Sequence, residues 1–170
     1  MVPDLWWTSV PVSRSLADEL GELAGVLESG HGRLPVTGVD WLRAARIAAA
    51  LGGRLPTSDE WEWMAGGGHR RYPWGDDEPD YGGPIRANLR GLGLGATSPV
   101  GSFPDGATPD GIRDVAGNVW EWTSTPVPGG HVLRGGSYRS ISLYARCSYA
   151  NEAPPTIVSP GIGVRVVKDA

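Results

Sequence analysis

Between Asp114 and Trp122 the chain sets two carboxylates, Asp114 and Glu121, one carboxamide, Asn118, and two tryptophans within nine positions. Oxygen donors of this kind suit a hard cation such as calcium, which takes carboxylates and backbone carbonyls as ligands. The W-E-W alternation at 120–122 is strand-like, so Trp120 and Trp122 share one face and Glu121 points to the other. Two readings stay open on spacing alone: an oxygen-lined cation loop, or a polar turn before a buried strand, since Asp, Gly and Asn are ordinary turn residues. Other chemistry is sparse. Cys147 stands alone, so one chain holds neither an internal disulfide nor a Cys-pair metal site. His31, His69 and His131 lack any paired spacing. The acidic groups Asp76-Asp77-Glu78 and Asp59-Glu60 sit in turns and caps with no base nearby in sequence, and read as solvated or capping groups rather than hydrolytic pairs.

The elements that must position these groups follow from periodicity. Leu16, Leu20, Leu23 and Leu27 recur at helical spacing, predicting an amphipathic helix over 15–27 with Ser15 as a cap and Gly30 beyond its end. Residues 35–39 read as a short strand. Asp40 precedes a second helix over 41–51 that Gly52-Gly53 ends, and its alanines predict close packing against a neighbour. Thr57 and Glu60 form a capping-box pattern before a short helix over 61–65, stopped by Gly66-Gly67-Gly68. From Arg70 to Pro109 only 98–103 looks extended, and so long an irregular stretch calls for tryptophans or a bound ion to pin it. Strands over 132–138 and 162–167 finish the fold.

Composition narrows the partners. The 170 residues suit one domain over 1–170, and eight tryptophans provide burial that disordered chains lack. The 26 glycines and 15 prolines, spread along the chain, argue for a loop-rich α+β fold. With net charge −4 and scattered arginines there is no basic stripe, so no nucleic-acid partner is expected. The first residues show neither a basic n-region nor a long apolar run, which sets the expectation of a soluble, cytoplasmic protein without direct membrane insertion. Display on a surface or virion by another route remains open.

Seven motifs follow one another in a specific order. They are Arg54-Leu-Pro-Thr-Ser-Asp-Glu-Trp-Glu-Trp63, Tyr72-Pro-Trp-Gly75, Ala87-Asn88, Pro99-Val-Gly-Ser-Phe-Pro104, Asp114-Val-Ala-Gly-Asn-Val-Trp-Glu-Trp122, Arg134-Gly-Gly-Ser-Tyr138 and Gly163-Val-Arg165. Their order and content resemble the formylglycine-generating enzyme/sulfatase-modifying-factor (FGE-sulfatase) domain, from about Pro35 to the C-terminus. The resemblance implies a C-type-lectin-like fold: two main helices and small antiparallel sheets bracing long loops. It also implies a structural calcium held by the Asp114 carboxylate, the Gly117 and Val119 carbonyls and the Glu121 carboxylate. A second family calcium site would use the Asn88 side chain and the Leu89 carbonyl, but no Asp or Glu between Arg90 and Val100 completes it.

The family's founding activity oxidises a substrate cysteine with copper and oxygen, through two cysteines just after the Gly-Gly-Ser-Tyr strand. Here Ser140 stands where the first would fall and nothing replaces the second. A hydroxyl cannot replace a thiolate on Cu(I). An iron-dependent branch uses histidines of a separate helical domain. Neither copper nor iron is therefore expected, and Ser137, which matches a family active-site serine, also serves as a sheet turn in members without activity. What remains is a binding scaffold, similar to the variable proteins of diversity-generating retroelements. Its expected ligand face comprises Tyr138, Arg139, Ser140, Ile141, Leu143, Ala150, Glu152, Thr156, Ile157, Val158, Ser159 and Pro160, with Tyr144 and Tyr149 as further rigid contact area. Ile157 and Val158 either form an exposed contact tip or pack inward. The expected partner is a protein or surface ligand. The alternatives are a metal-dependent oxidoreductase of the same family, or a subunit of one, that lacks the usual cysteine pair, and a structural subunit whose apolar loops bury against another chain.

Overall fold

The computed structural model describes residues 4–22, 31–80, 82–92 and 94–170. Among these residues three α-helices and six short strands alternate with long loops, an α+β arrangement. In chain order they are β1 (Leu5–Trp7), α1 (Arg14–Glu19), α2 (Trp41–Ala50), α3 (Ser58–Gly66), β2 (Trp120–Val127), β3 (Gly130–Arg134), β4 (Ala150–Ala153), β5 (Ile162–Gly163) and β6 (Val167–Asp169). α2 matches the helix expected over 41–51, and α3, expected only over 61–65, runs over Ser58–Gly66 because its first turn follows directly on the Thr57 cap.

Each helix start is written in its cap. Ser13, not Ser15, caps α1, its Oγ accepting from Leu16 N at 3.4 Å, because only a residue three positions before that amide can reach it. The expected continuation through Leu23 and Leu27 to Gly30 lies outside the described residues. Asp40 caps α2 by accepting from Arg43 N at 2.8 Å, and Ala44, Ile47 and Ala48 form the buried stripe that the alanine content announced. The capping box of α3 is complete: Glu60 N donates to Thr57 Oγ1 at 3.2 Å and Thr57 N donates to Glu60 Oε2 at 2.8 Å.

The larger sheet runs β4-β3-β2-β5, antiparallel except for the parallel β2–β5 pairing. Trp122 lies opposite Leu133, and Trp120 and Trp122 face a core that includes Ile47, Val12, Val36 and Val164. On the other face Glu121 pairs with Arg134 in register and looks toward α3, whose Trp61, Met64 and Ala65 pack with Val115 and Cys147. The W-E-W alternation therefore separates two cores.

The expected strand over 132–138 ends at Arg134 because Gly135 and Gly136 take φ of 95° and 76°. A Cβ at Gly135 would also lie 2.6 Å from the Val115 carbonyl, so only glycine fits that turn. The expected strand over 162–167 is divided. Ile162–Gly163 pairs with β2, Val164 O and Val166 O then accept from Val12 N and Thr8 N, and Val167–Asp169 pairs antiparallel with β1. Residues 35–39 make one isolated bridge, Ser13 with Pro35, and 98–103 form no strand.

The long stretch from Arg70 to Pro109 is pinned by a carboxamide knot. Asn118 Oδ1 accepts from Ser98 N at 2.9 Å, Asn118 Nδ2 donates to Ser98 O at 3.2 Å, and Asn118 N donates to Asn88 O at 2.9 Å. Asn118 sits at φ 66°, a region where asparagine is tolerated better than most residues. Stacked Tyr72 and Trp74, with centroids 5.1 Å apart, hold another turn of the same stretch. Asn118→Gly keeps the backbone conformation but removes the amide; urea unfolding should show a loss of about 2–4 kcal/mol. An unchanged midpoint would mean that the knot does not hold the loop.

Candidate functional site

Two places carry chemistry: the loop running into β2, and a groove over the end of the sheet. In the loop, Glu121 and Arg165 are both fully buried and form an ion pair at 2.9 Å. The Arg165 Nε lies 3.0 Å from each carboxylate oxygen, and Trp61 Nε1 donates to Oε2 at 2.6 Å. Arg165 spends its remaining donors on Thr8 O at 2.8 Å and Arg113 O at 2.7 Å. Burial pushes the Glu121 carboxyl upward, while the Arg165 charge and the Arg165 and Trp61 hydrogen bonds hold it down.

Asp114 stands beside this pair in a left-handed conformation, φ 52°. Its Oδ2 accepts from Gly101 N at 2.5 Å, whereas its buried Oδ1 has no partner among the described residues. Burial raises its pKa, opposed by the Gly101 N–H and by the charges of Arg165 and Arg113. A buried acceptor without a donor is costly, and a cation, a water or a proton is what would relieve it. Asp114, the Gly117 and Val119 carbonyls and Glu121 are all oxygen donors, the type a hard cation takes, although Gly117 O already accepts from Val119 N at 2.8 Å. Glu121 can join only by sharing its carboxylate with Arg165. Asn88 Oδ1 is likewise buried without a partner among the described residues, while its Nδ2 donates to Ala96 O at 2.8 Å.

The groove, about 400 Å³, is lined by residues of β2, β3 and β4 and of the loops that follow β3 and β4. It gathers five of the expected ligand residues, Arg139, Ser140, Glu152, Ile157 and Ser159. The remaining seven do not line it: Tyr138, Ile141, Leu143, Ala150, Thr156, Val158 and Pro160. Tyr138 is buried, whereas Ile157 and Val158 are 40% and 62% exposed, an outward-facing apolar tip. Trp120, Leu133, Ser137, Tyr144, Asn151, Ala153, Gly161 and Ile162 complete the wall. Tyr149 connects the aromatic members, with centroids 6.2 Å from Trp120 and 4.8 Å from Tyr144. Asn151 lies opposite Leu133, on the Trp122 face, whereas Glu152 lies opposite Val132 on the other. Glu152 therefore borders the groove from the edge of the sheet.

Ser140 is buried in the groove wall, its Oγ accepting from Ser137 N at 2.9 Å. Cys147 does not line the groove. It packs under Gly66, where an added Cβ would lie 2.9 Å from its own, and burial pushes its thiol up to about 12. His131 stacks on Trp41 at 4.0 Å, and the exposed His69 contacts Gly67 O. No three His, Cys, Asp or Glu side chains gather as a metal cluster among the described residues. A larger depression of about 860 Å³ lies between β1 and α3, with exposed Trp6 and Trp63 on its rim.

The sulfatase-modifying factor enzyme 1-like domain (FGE-sulfatase) family model matches residues 13–170. The chain belongs to this family. It is 39% identical over 160 residues to hercynine oxygenase of Mycobacterium tuberculosis, covering 79% of this chain and 37% of that protein. It is 36% identical over 186 residues to inactive C-alpha-formylglycine-generating enzyme 2 of Mus musculus, covering 97% of this chain and 58% of the relative. The chain thus spans less than two thirds of either relative's length. Among solved structures, Treponema denticola variable protein 1 superposes with a TM-score of 0.78 at 18% identity, covering 98% of this chain and 84% of that one. The fold is C-type-lectin-like, with small sheets bracing long loops.

Replacing Arg165 by Met strands a buried carboxylate at the centre of this family fold. Urea unfolding should show a loss of about 3–5 kcal/mol. The double variant with Glu121→Gln should recover part of that loss, and strict additivity of the two substitutions would exclude direct coupling.

Proposed function

We propose that this chain is a non-catalytic ligand-binding scaffold of the FGE-sulfatase family, which presents its C-terminal loops on a frame braced by calcium. One observation carries the reading. The groove wall offers the Ser140 hydroxyl where copper chemistry requires a thiolate, and the lone thiol, Cys147, is buried elsewhere and held protonated. The exposed Ile157–Val158 tip beside the groove suits a contact surface, since apolar exposure of this kind often marks an interaction site. The partner under this reading is a protein or surface ligand, not a nucleic acid. No helix among the described residues is long and apolar enough to cross a membrane. The inactive mouse relative and the Treponema variable protein support the reading, and C-terminal positions diversified by a retroelement would extend it.

Calcium, when bound, would neutralise the Asp114 carboxylate and fix the loop leading into β2. Asp114, the Gly117 and Val119 carbonyls and Glu121 would hold it. An oxidoreductase, or a subunit of one, is the second reading, favoured by the 39% identity to hercynine oxygenase. Under that reading the missing metal ligands come from another chain or segment.

Calcium should raise the melting temperature of the purified chain relative to chelator, and Asp114→Ala should abolish the rise. Elemental analysis decides between the readings: stoichiometric copper or iron would favour the oxidoreductase. Introducing Ile157→Asp with Val158→Asp should weaken binding of an identified partner at least about tenfold without lowering the melting temperature. Unchanged affinity would place the contact surface elsewhere.

A further inference from the structure

Three serine hydroxyls lining the groove have proton-donating capacity to spare. Ser140 Oγ accepts from Ser137 N at 2.9 Å, Ser137 Oγ from Arg139 N at 3.2 Å, and Ser159 Oγ from Gly161 N at 3.2 Å. A hydroxyl carries one proton and two lone pairs. Each of these takes in a backbone N–H, and none gives its own proton to an acceptor among the described residues. Ser137 and Ser140 are buried, where an unspent donor is unfavourable.

Gly161 leaves room between two of them. A Cβ built there would lie 3.5 Å from Ser137 Oγ and 3.8 Å from Ser159 Oγ, so both hydroxyls flank one point. Arg139 adds a guanidinium on the same wall, resting over the Tyr138 ring at 5.2 Å. It enters no ion pair among the described residues. The groove is thus rich in donors; its charged members are Arg139, beside these hydroxyls in sequence, and Glu152, which borders it from the edge strand.

We propose that the groove binds a carboxylate monoanion, its oxygens on the hydroxyls of Ser137, Ser140 and Ser159 with Arg139, and its apolar body against Trp120 and Tyr144. One guanidinium matches one negative charge, and its planar fork suits a carboxylate. The inference rests on the groove being the binding face proposed above. The carboxylate belongs either to a free small acid or to a peptide side chain.

Calorimetric titration of the full chain with 3-phenylpropionate and 3-phenylpropanamide tests it, with N-acetyl-aspartyl-phenylalaninamide as the peptide-borne arm. The acid should bind at least about tenfold more tightly than the amide. Preference for the free acid or for the peptide then identifies the source. Gly161 is not in the left-handed region, so Gly161→Ala places a methyl between the hydroxyls without backbone strain. It should weaken the acid at least about tenfold at an unchanged melting temperature, and Arg139→Gln should do the same. Should Gly161→Ala fail to fold, Ser159→Ala replaces it, with weaker binding of the acid expected. Equal affinity for acid and amide overturns the carboxylate assignment and leaves the groove as a binding face. No binding by any of the three probes overturns both, and full affinity in Gly161→Ala overturns the placement between Ser137 and Ser159.

Discussion

A carboxylate and a guanidinium, neither with any exposed surface, meet at 2.9 Å in the Glu121–Arg165 pair. Their neighbours explain why so much depends on them. Glu121 comes from β2 and is capped by Trp61 of α3, while Arg165 reaches back to the carbonyls of Thr8 and Arg113. One ion pair thereby joins the start of the chain, the loop before β2, the third helix and the final segment. A fold with so few regular elements has little ladder hydrogen bonding to keep these segments in place. Desolvating two charges is expensive, and each is tolerated here because every guanidinium nitrogen and both carboxylate oxygens have a partner. The pair ties distant segments into one arrangement, and through the Arg113 carbonyl Arg165 is bonded to the residue next to Asp114.

Much of this frame was legible in the sequence because local rules sufficed. Asp40 and Thr57 announce helix starts, since the side chain that caps a helix lies within three residues of the amide it satisfies. The W-E-W alternation foretold that Trp120 and Trp122 share one face and Glu121 takes the other, because side-chain direction along a strand depends on parity. That each face carries its own core emerged only from the packing. The Gly-Gly-Ser turn and the ordered motifs carried the family.

What escaped was everything set by distant partners. Ser13 and Ser15 are equally good cap residues by type, and only the register of the following helix selects the first. Glu121 reads as a cation ligand by type, yet its guanidinium partner lies 44 residues away. Asn118 reads as an oxygen donor, whereas its carboxamide mimics a peptide group to clamp Ser98 across 20 residues. Of the groove, sequence supplied the C-terminal wall. The β2 and β3 wall, Trp120 and Leu133, entered only once strand pairing placed it beside Asn151.

Serine in place of cysteine alters more than redox capacity. A thiolate is a soft donor that recruits Cu(I), whereas a hydroxyl is a hard, neutral group whose useful feature is a directed proton. In the groove that proton is free because the oxygen already accepts a backbone N–H from the tight turn after β3. The turn thereby presents a hydrogen-bond donor, and with the Ser137 and Ser159 hydroxyls it makes a pre-organised polar wall. Binding specificity can build on it without any change of fold, since the turn is held by Gly135 and Gly136 and the wall behind it by paired strands.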